Sequence, residues 1–378
     1  MLHYDARRSA QGDVSCATCH AFAHTDHLAW DLGDPRGRFI HTHDPAYPRD
    51  QKDPFLRGFH PLKGPTTTLS LRGLASLTLL HWRGDRPGLT SFKAAFRTLL
   101  GGAREPSDEE FARYEAFING VRYPPNPYET LEREYPNPTA GPSARRGFET
   151  FTRDRHRGLL RCVDCHSLPL GTNQTLVNRE TLRDAQEMRV PQLRGLYDKA
   201  RGRDRAGFGF THDGTAESLE RYLKRPAFQF AGGDAQRRDV VAFLMAFDTG
   251  MAPAVGNQVT VDASTREDLK LRAELLRLVR QARAGNCDVI AKGIVGGEPR
   301  GYVLMPDGRF QSDRHGEPEL ALDAFFALCG LGGTITFTGV PPGTGLRAGI
   351  DRDRDGLWDA DPRAASLPGG APDSAPAK

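Results

Sequence analysis

No apolar run in this 378-residue chain approaches the roughly 18 residues that a membrane-spanning helix requires. Lys and Arg number 51 and Asp and Glu 48, so the net charge of +3 gives no argument for nucleic acid and describes a mixed, solvated surface. The opening residues Met1-Leu2-His3-Tyr4-Asp5 have neither the basic nor the apolar region of a signal peptide. Methionine is scarce: after Met1 none occurs before Met188, so the first half of the chain has no internal thioether to offer a metal. Cysteine is scarce as well, with six in all, and four of these stand in two copies of one pattern.

That pattern is Cys16-Ala17-Thr18-Cys19-His20, repeated as Cys162-Val163-Asp164-Cys165-His166. C-x-x-C-H is the attachment signature of c-type haem: two thiols become thioethers on the porphyrin, and the adjoining imidazole ligates iron. One helical turn sets the two sulfurs at the porphyrin edge and projects the histidine beneath the ring. Cys16, Cys19, Cys162 and Cys165 are therefore the candidate attachment residues, with His20 and His166 the proximal iron ligands. The alternatives for the two pairs are zinc knuckles or disulfides. Zinc requires no histidine directly after the second cysteine.

Covalent haem implies an extracytoplasmic compartment, periplasmic or secreted, which conflicts with the absent signal peptide. An amphipathic helix is expected over 143–151, ahead of Cys162, with Phe148 and Phe151 on one face. Leu2, His3 and Tyr4 read as the end of an equivalent helix ahead of Cys16, so the sequence is expected to begin inside a longer precursor.

After His20 comes a histidine- and proline-rich coil containing His24, His27, His41, His43 and His60. Leu69-Ser70-Leu71-Arg72-Gly73-Leu74 and His81-Trp82-Arg83-Gly84-Asp85-Arg86 follow, then helices expected over 89–100 and 107–119. Ser107 with Glu110 forms a capping-box pattern. After His166 the order recurs: Pro191-Gln192-Leu193-Arg194-Gly195-Leu196, Thr211-His212-Asp213-Gly214, and helices expected over 216–223 and 237–247. This is an internal duplication, with the Pro-rich stretch from Tyr123 to Pro142 as its linker. Beyond Val259 the pattern changes to a helix over 264–284, short strands over 287–295, 301–305 and 309–311 with a turn at Pro306-Asp307-Gly308, a helix over 319–328 and a strand over 334–338.

Across roughly residues 1 to 258 these motifs resemble the bacterial dihaem cytochrome c peroxidase and MauG superfamily. The resemblance rests on the two C-x-x-C-H units, the Leu-Arg-Gly-Leu motif after each, and the His-Trp-Arg-Gly-Asp-Arg and His-Asp-Gly motifs. It implies two cytochrome c folds packed haem to haem, passing electrons between a surface donor and a second site. The chain departs from the enzymes in having no methionine in Tyr222-Leu223-Lys224-Arg225-Pro226-Ala227-Phe228, where the peroxidases place a ligand, and no Gly-His-Gly loop. His41 and His43 lie in the region of that loop. The electron-transfer role transfers better than the peroxidase activity.

The sixth ligand decides whether a haem carries electrons or admits a substrate. For the first haem the candidates are His60 and His81, followed by His41 and His43, each alternatively a surface histidine or propionate partner. For the second they are Met188, Met251 and His212, with Met245 a packing residue. Arg72 and Arg194 occupy equivalent places and are either propionate partners or surface charges. Trp82 is a packing residue or a step on an electron path.

Asp351-Arg352-Asp353-Arg354-Asp355-Gly356-Leu357-Trp358-Asp359 follows the first half of an EF-hand loop, with Asp351, Asp353, Asp355, the Leu357 carbonyl and Asp359 as candidate Ca2+ ligands. Pro362 stands where a bidentate glutamate would be, with Asp361 beside it. A solvated acidic turn is the alternative. Cys287 and Cys329 remain as a disulfide or as two buried thiols.

The expected architecture is mainly α: two tandem cytochrome c-like domains (1–135 and 136–258), a small α+β domain (259–347), an Asp-rich calcium loop (348–363) and a disordered tail (364–378). The expected function is extracytoplasmic electron transfer through two covalent haems with a redox partner protein, with no nucleic acid and no membrane span. The competing expectation is a peroxidase or MauG-like oxidase with one open haem.

Overall fold

A computed structural model describes residues 2–41, 58–157, 160–182, 184–201 and 209–361; the candidate ligand His43 and the expected tail lie outside them. The chain divides into two compact units. The first comprises Met1–Tyr128 with Tyr135–Thr249, the second Glu129–Glu134 with Gly250–Lys378.

The expectation of a mainly α fold is overturned. Helix makes up 32 % and strand 15 %, and a five-stranded antiparallel sheet organises the second unit. The reason lies in backbone punctuation: 41 glycines and 27 prolines interrupt helices by conformational freedom and by missing N–H donors. In the first unit the expected 89–100 helix breaks into a 3-10 turn, Leu89–Phe92, and a short helix, Ala95–Thr98. The stretches between motifs fold as two-residue strand pairs.

Three longer helices anchor the first unit. Ser107 caps Asp108–Gly120: its hydroxyl accepts from the Glu110 amide at 3.2 Å while the Glu110 carboxylate accepts from the Ser107 amide at 2.9 Å. That helix buries Phe111, Tyr114 and Ile118 against Leu74, Leu77, Leu80 and Phe96. The Ala144–Arg153 helix, capped by Ser143, packs on Gly233–Met245 through Phe151, Val240, Phe243 and Phe247. Their backbones touch at Gly147, where a Cβ would stand 2.0 Å from the Asp239 carbonyl oxygen.

The sequence repeat has a backbone counterpart. Leu80 bridges Arg86 and Phe210 bridges Ala216, each closing an antiparallel loop. In both loops the first residue has positive φ (His81 65°, Thr211 79°), as does the glycine three positions on (Gly84 66°, Gly214 77°). This makes Trp82 the counterpart of His212, and their rings meet edge to face at 6.5 Å. The repeats also exchange hydrogen bonds: the Thr67 amide donates to the His212 carbonyl at 2.7 Å, and the Arg189 amide donates to the Trp82 carbonyl at 2.8 Å. Thr67 and Arg189 each stand two residues before the repeated motif that begins at Leu69 and Pro191.

In the second unit the strands run in the order Phe310–Ser312, Glu298–Leu304, Asp288–Val295, Thr334–Val340, Gln258–Val261, all antiparallel. Sequence reading had anticipated every strand except the edge strand Gln258–Val261, whose four residues alternate exposed and buried. Alternation along the strands divides two cores. Val289, Ala291, Ile335 and Phe337 meet helices Leu269–Arg283 and Leu322–Gly330, whereas Ile290 and Val303 on the other face meet Ile350 and Trp358. Among the described residues no helix is long and apolar enough to cross a membrane.

Candidate cofactor sites

Cys16–Cys19 forms a single helical turn. The Ser15 amide donates to the Thr18 hydroxyl at 3.0 Å, fixing the start of the turn, and the His20 amide closes it on the Cys16 carbonyl at 2.9 Å. Cys16 packs on the cluster that contains Phe111 and Tyr114, and burial pushes its thiol up. Burial and then the Asp26 charge do the same to Cys19. The His20 ring has one backbone carbonyl beside it, that of His24 at 3.4 Å from Nδ1. In the tautomer with the proton on Nδ1 this carbonyl accepts it and Nε2 can act as a ligand, the outer-shell arrangement that orients metal-binding imidazoles. Burial lowers the His20 pKa, favouring the neutral imidazole. Buried His3 supports the site from below, with Nε2 3.2 Å from the His20 carbonyl.

The second motif repeats this construction. Cys162–Cys165 is again one turn, started by Asp164, which accepts from the Arg161 amide at 2.8 Å, and closed by the His166 amide on the Cys162 carbonyl at 2.9 Å. His166 Nδ1 lies 2.8 Å from the Gly171 carbonyl. Burial pushes Cys162 up to about 11 and lowers His166.

Between the motifs stands Tyr123, which is 5 % exposed. Positive-φ Gly73 and Gly195 flank opposite ring edges: a Cβ at Gly73 would meet Cε2 at 3.0 Å, and one at Gly195 would meet Cε1 at 2.6 Å. Gln192 Nε2 donates to the phenol oxygen at 3.1 Å. Ser70 and Gln192 are equivalent second positions of the repeat. Ser70 is itself held by His24 Nδ1 at 2.8 Å, whose Nε2 stands 2.7 Å from Asp198. Sequence reading placed Tyr123 only at the start of a linker, because nothing in one dimension pairs two glycines across a tyrosine. Of the two motif arginines, Arg194 donates to the Gly73 carbonyl at 2.7 Å and to Gln192. Arg189 is buried, its Nε donating to the His81 carbonyl at 3.3 Å while its Nη1 lacks a partner, and burial lowers it to about 10.

The distal candidates divide by environment. His81 is the best prepared imidazole: its Nδ1 lies 2.9 Å from Asp85, which in turn is 3.0 Å from Arg83. Phe92, which meets the His81 ring at 4.8 Å, and neighbouring Leu80 belong to the cluster on which Cys16 packs. His60 is exposed and accepts from the Leu62 amide at 3.1 Å. His41 sits in a two-residue strand beside Phe39. Met188 is buried in the strand Met188–Arg189, paired with Leu176–Val177. His212 lies 3.6 Å from Asp184 and against Trp82. Met251 belongs to the second unit, and Met245 packs on the aromatic core of the first.

The residues fit covalent haem better than either alternative. None of the six cysteines is in a disulfide, and Cys287 and Cys329 are separate buried thiols, with Cys329 Sγ donating to the Val261 carbonyl at 3.3 Å. Among the described residues the only convergent group of three His, Cys, Asp or Glu ligands is Asp351, Asp353 and Asp355. Among the described residues neither cysteine pair is joined by the further ligands zinc requires. Each motif is also bordered by large apolar side chains facing solvent, Phe22 at 83 % and Trp30 at 41 % near the first, Leu160 at 50 % and Leu168 at 41 % near the second. A porphyrin face would cover such surface.

In the acidic loop the ligand atoms of Asp351, Asp353 and Asp355 lie within 4.8 Å of one another, and Asp351 Oδ1 is buried with no partner. The Leu357 amide donates to Asp355 at 2.8 Å, and Asp359 accepts from the Arg352 amide at 3.0 Å. Asp361 is committed elsewhere, accepting from the His315 amide and ring. No protein-family model matches this sequence, and no curated protein matches it.

Proposed function

We propose that the chain is an extracytoplasmic electron-transfer protein carrying two covalent haems c. Cys16 and Cys19 with His20 hold one, and Cys162 and Cys165 with His166 hold the other. The observation that carries this reading is the repeated local structure: two one-turn C-x-x-C helices, each followed by a half-buried histidine whose Nδ1 faces one backbone carbonyl, with no zinc ligand set beside either among the described residues. Haem c, when bound, supplies a one-electron iron couple. The protein's own residues attach it, hold each imidazole in the tautomer that leaves Nε2 free, and keep that imidazole neutral through burial. Buried Arg189 offers a positive charge to a propionate. The partner is a redox protein docking on the first unit, consistent with resemblance to the dihaem peroxidase and MauG superfamily. The acidic loop holds Ca2+, which the unpartnered Asp351 oxygen supports.

A second reading, an oxidase or peroxidase with one open haem, draws on the His81–Asp85 pair: an imidazole backed by a buried carboxylate is a competent proton acceptor as well as a ligand. The ultraviolet-visible spectrum of the matured protein with a pyridine haemochrome count tests both. Two covalent haems that remain low-spin and ignore peroxide support the carrier. A high-spin band that shifts with peroxide supports the oxidase, and no covalent haem rejects both.

A further inference from the structure

The two repeats close the same loop after their C-x-x-C-H motifs with different side chains. In the first, the His24 carbonyl faces His20 Nδ1 at 3.4 Å and the Leu71 amide donates to the Ala23 carbonyl at 3.1 Å. In the second, the Gly171 carbonyl faces His166 Nδ1 at 2.8 Å and the Leu193 amide donates to the Leu170 carbonyl at 3.2 Å. His24 therefore corresponds to Gly171, as Ser70 corresponds to Gln192. A glycine completes the loop in one repeat, so the fold does not demand the imidazole in the other. That imidazole joins a hydroxyl to a carboxylate: His24 Nδ1 lies 2.8 Å from Ser70 Oγ, and His24 Nε2 lies 2.7 Å from Asp198 Oδ2.

We propose that Ser70, His24 and Asp198 form a nucleophilic site that transfers the acyl group of small carboxylic esters to water. Nucleophile and base stand within hydrogen-bond reach and a third group orients the base, the arrangement that activates a serine. With its proton on Nε2, donated to Asp198, the imidazole accepts the Ser70 hydroxyl at Nδ1. Oγ attacks the ester carbonyl carbon as its proton passes to Nδ1; the bond to the alcohol oxygen breaks, and the alcohol leaves with that proton. Water then attacks the acyl-Ser70 ester through the same nitrogen, the carboxylic acid leaves, and the proton returns to Oγ. The Arg72 amide, 3.2 Å from Oγ, is a donor beside the centre where the carbonyl oxygen gains charge. The segments that carry Ser70 and His24 are tied together, since Thr25 Oγ1 donates to the Thr68 carbonyl and the Thr68 amide to the Leu28 carbonyl, each at 3.0 Å. Ser70 is half-buried, whereas the His24 ring is only 14 % exposed. The base is shielded while the hydroxyl stays within reach of a small ester.

The test is a fluorophosphonate probe on the full chain with peptide mass mapping, alongside steady-state hydrolysis of p-nitrophenyl acetate. The native protein is expected to carry the label on Ser70 and the heat-denatured protein to carry none. Ser70→Ala should lose both label and turnover. Asp198 is a positioning residue, so Asp198→Asn should lower kcat by about 10-fold or more with KM unchanged, and Asp198→Glu should restore part of it. No label on Ser70 in the native parent overturns the proposal without recourse to any variant. Turnover that survives Ser70→Ala, or an Asp198→Asn kcat equal to the parent's, overturns it as well. None of these readouts depends on haem, so the electron-carrier reading stands or falls separately.

Discussion

His81 Nδ1 lies 2.9 Å from the Asp85 carboxylate, whereas their counterparts in the second repeat, Thr211 and Thr215, have hydroxyls 3.4 Å apart. The loop backbone is shared, down to the positive φ at its first residue, but the chemistry is not. One repeat carries a half-buried imidazole on a buried carboxylate at the position where the other carries two neutral hydroxyls. A duplication that keeps its backbone and diverges in this way has assigned the two halves different work. Any ligand or proton-accepting role at this position belongs to the first repeat.

The Asp85 carboxylate is expected to be a major stabilising group. Burial by itself would raise its pKa, but the hydrogen bond and charge of His81, with Arg83 and Arg86, hold it well below the usual carboxylate range. A depressed folded pKa contributes stability that is present above the unfolded value of about 3.9 and is lost as pH falls below it. Asp85→Asn leaves Arg83 buried without its counter-charge, a loss of about 3–5 kcal/mol. Urea denaturation at pH 7 should show that drop, and the gap between variant and parent should narrow by pH 3. Equal stability at pH 7 would refute the assignment.

Gly147 is expected to admit no side chain. A methyl group there would stand 2.0 Å from the Asp239 carbonyl oxygen, a backbone atom that can move only by separating the two helices. Their register is fixed on both sides, since Arg146 grips the Asp239 carboxylate at 2.9 Å through both Nε and Nη2, and that carboxylate accepts from the Ser143 amide at 2.7 Å. Overpacking of this kind costs about 1–3 kcal/mol or more, against a helix-propensity gain of about 1 kcal/mol for replacing glycine with alanine. Gly147→Ala should therefore lower the unfolding midpoint and, because this helix leads into Cys162, reduce haem occupancy of the second motif before the first. A neutral or raised midpoint contradicts the packing argument.

Much of this was legible along the chain. The C-x-x-C-H units, the Ser107–Glu110 cap and the strands of the second unit announce themselves through spacing, capping chemistry and alternation, all of which are local. What escaped notice was relational. The edge strand Gln258–Val261 is short and gains its identity from pairing with Thr334–Val340. The fold class failed because helical periodicity over 89–100 was read without weighing how glycine and proline divide the first unit into turns. The backbone pairs His81 with Thr211 and Trp82 with His212, a correspondence that residue types alone do not reveal. Tyr123 was invisible because its slot is made by Gly73 and Gly195, equivalent positions that meet across its ring only in three dimensions.

The two attachment motifs should be separable. Cys162→Ala with Cys165→Ala removes only the second pair, and the first lies in a separate apolar cluster built on Phe111 and Ile118. The haemochrome count is expected to fall from two to one per chain, with the mass loss of a single haem. The reciprocal Cys16→Ala with Cys19→Ala should give the same count. Retention of two haems by either variant would show that the C-x-x-C pairs are not the points of attachment.

Calcium should act on the second unit through Asp351. Its Oδ1 is buried without a partner, a state that costs about 1–3 kcal/mol for a polar atom and more for a charged one, and one that an arriving cation relieves. The loop is coupled to the sheet, because Ile350, directly before Asp351, is fully buried against Ile290 and Val303, and Trp358 packs on the same cluster. Binding should therefore raise the unfolding midpoint of the second unit by an amount set by ligand concentration, about 2.7 kcal/mol at one hundred times the dissociation constant. Trp358, stacked on His315 at 3.6 Å between ring centroids, should report the change in fluorescence. Asp351→Asn should abolish the response while leaving the chelated protein no less stable than the parent, since it removes the unpaired charge. An identical midpoint with calcium and with chelator in the parent protein would return the loop to an acidic turn.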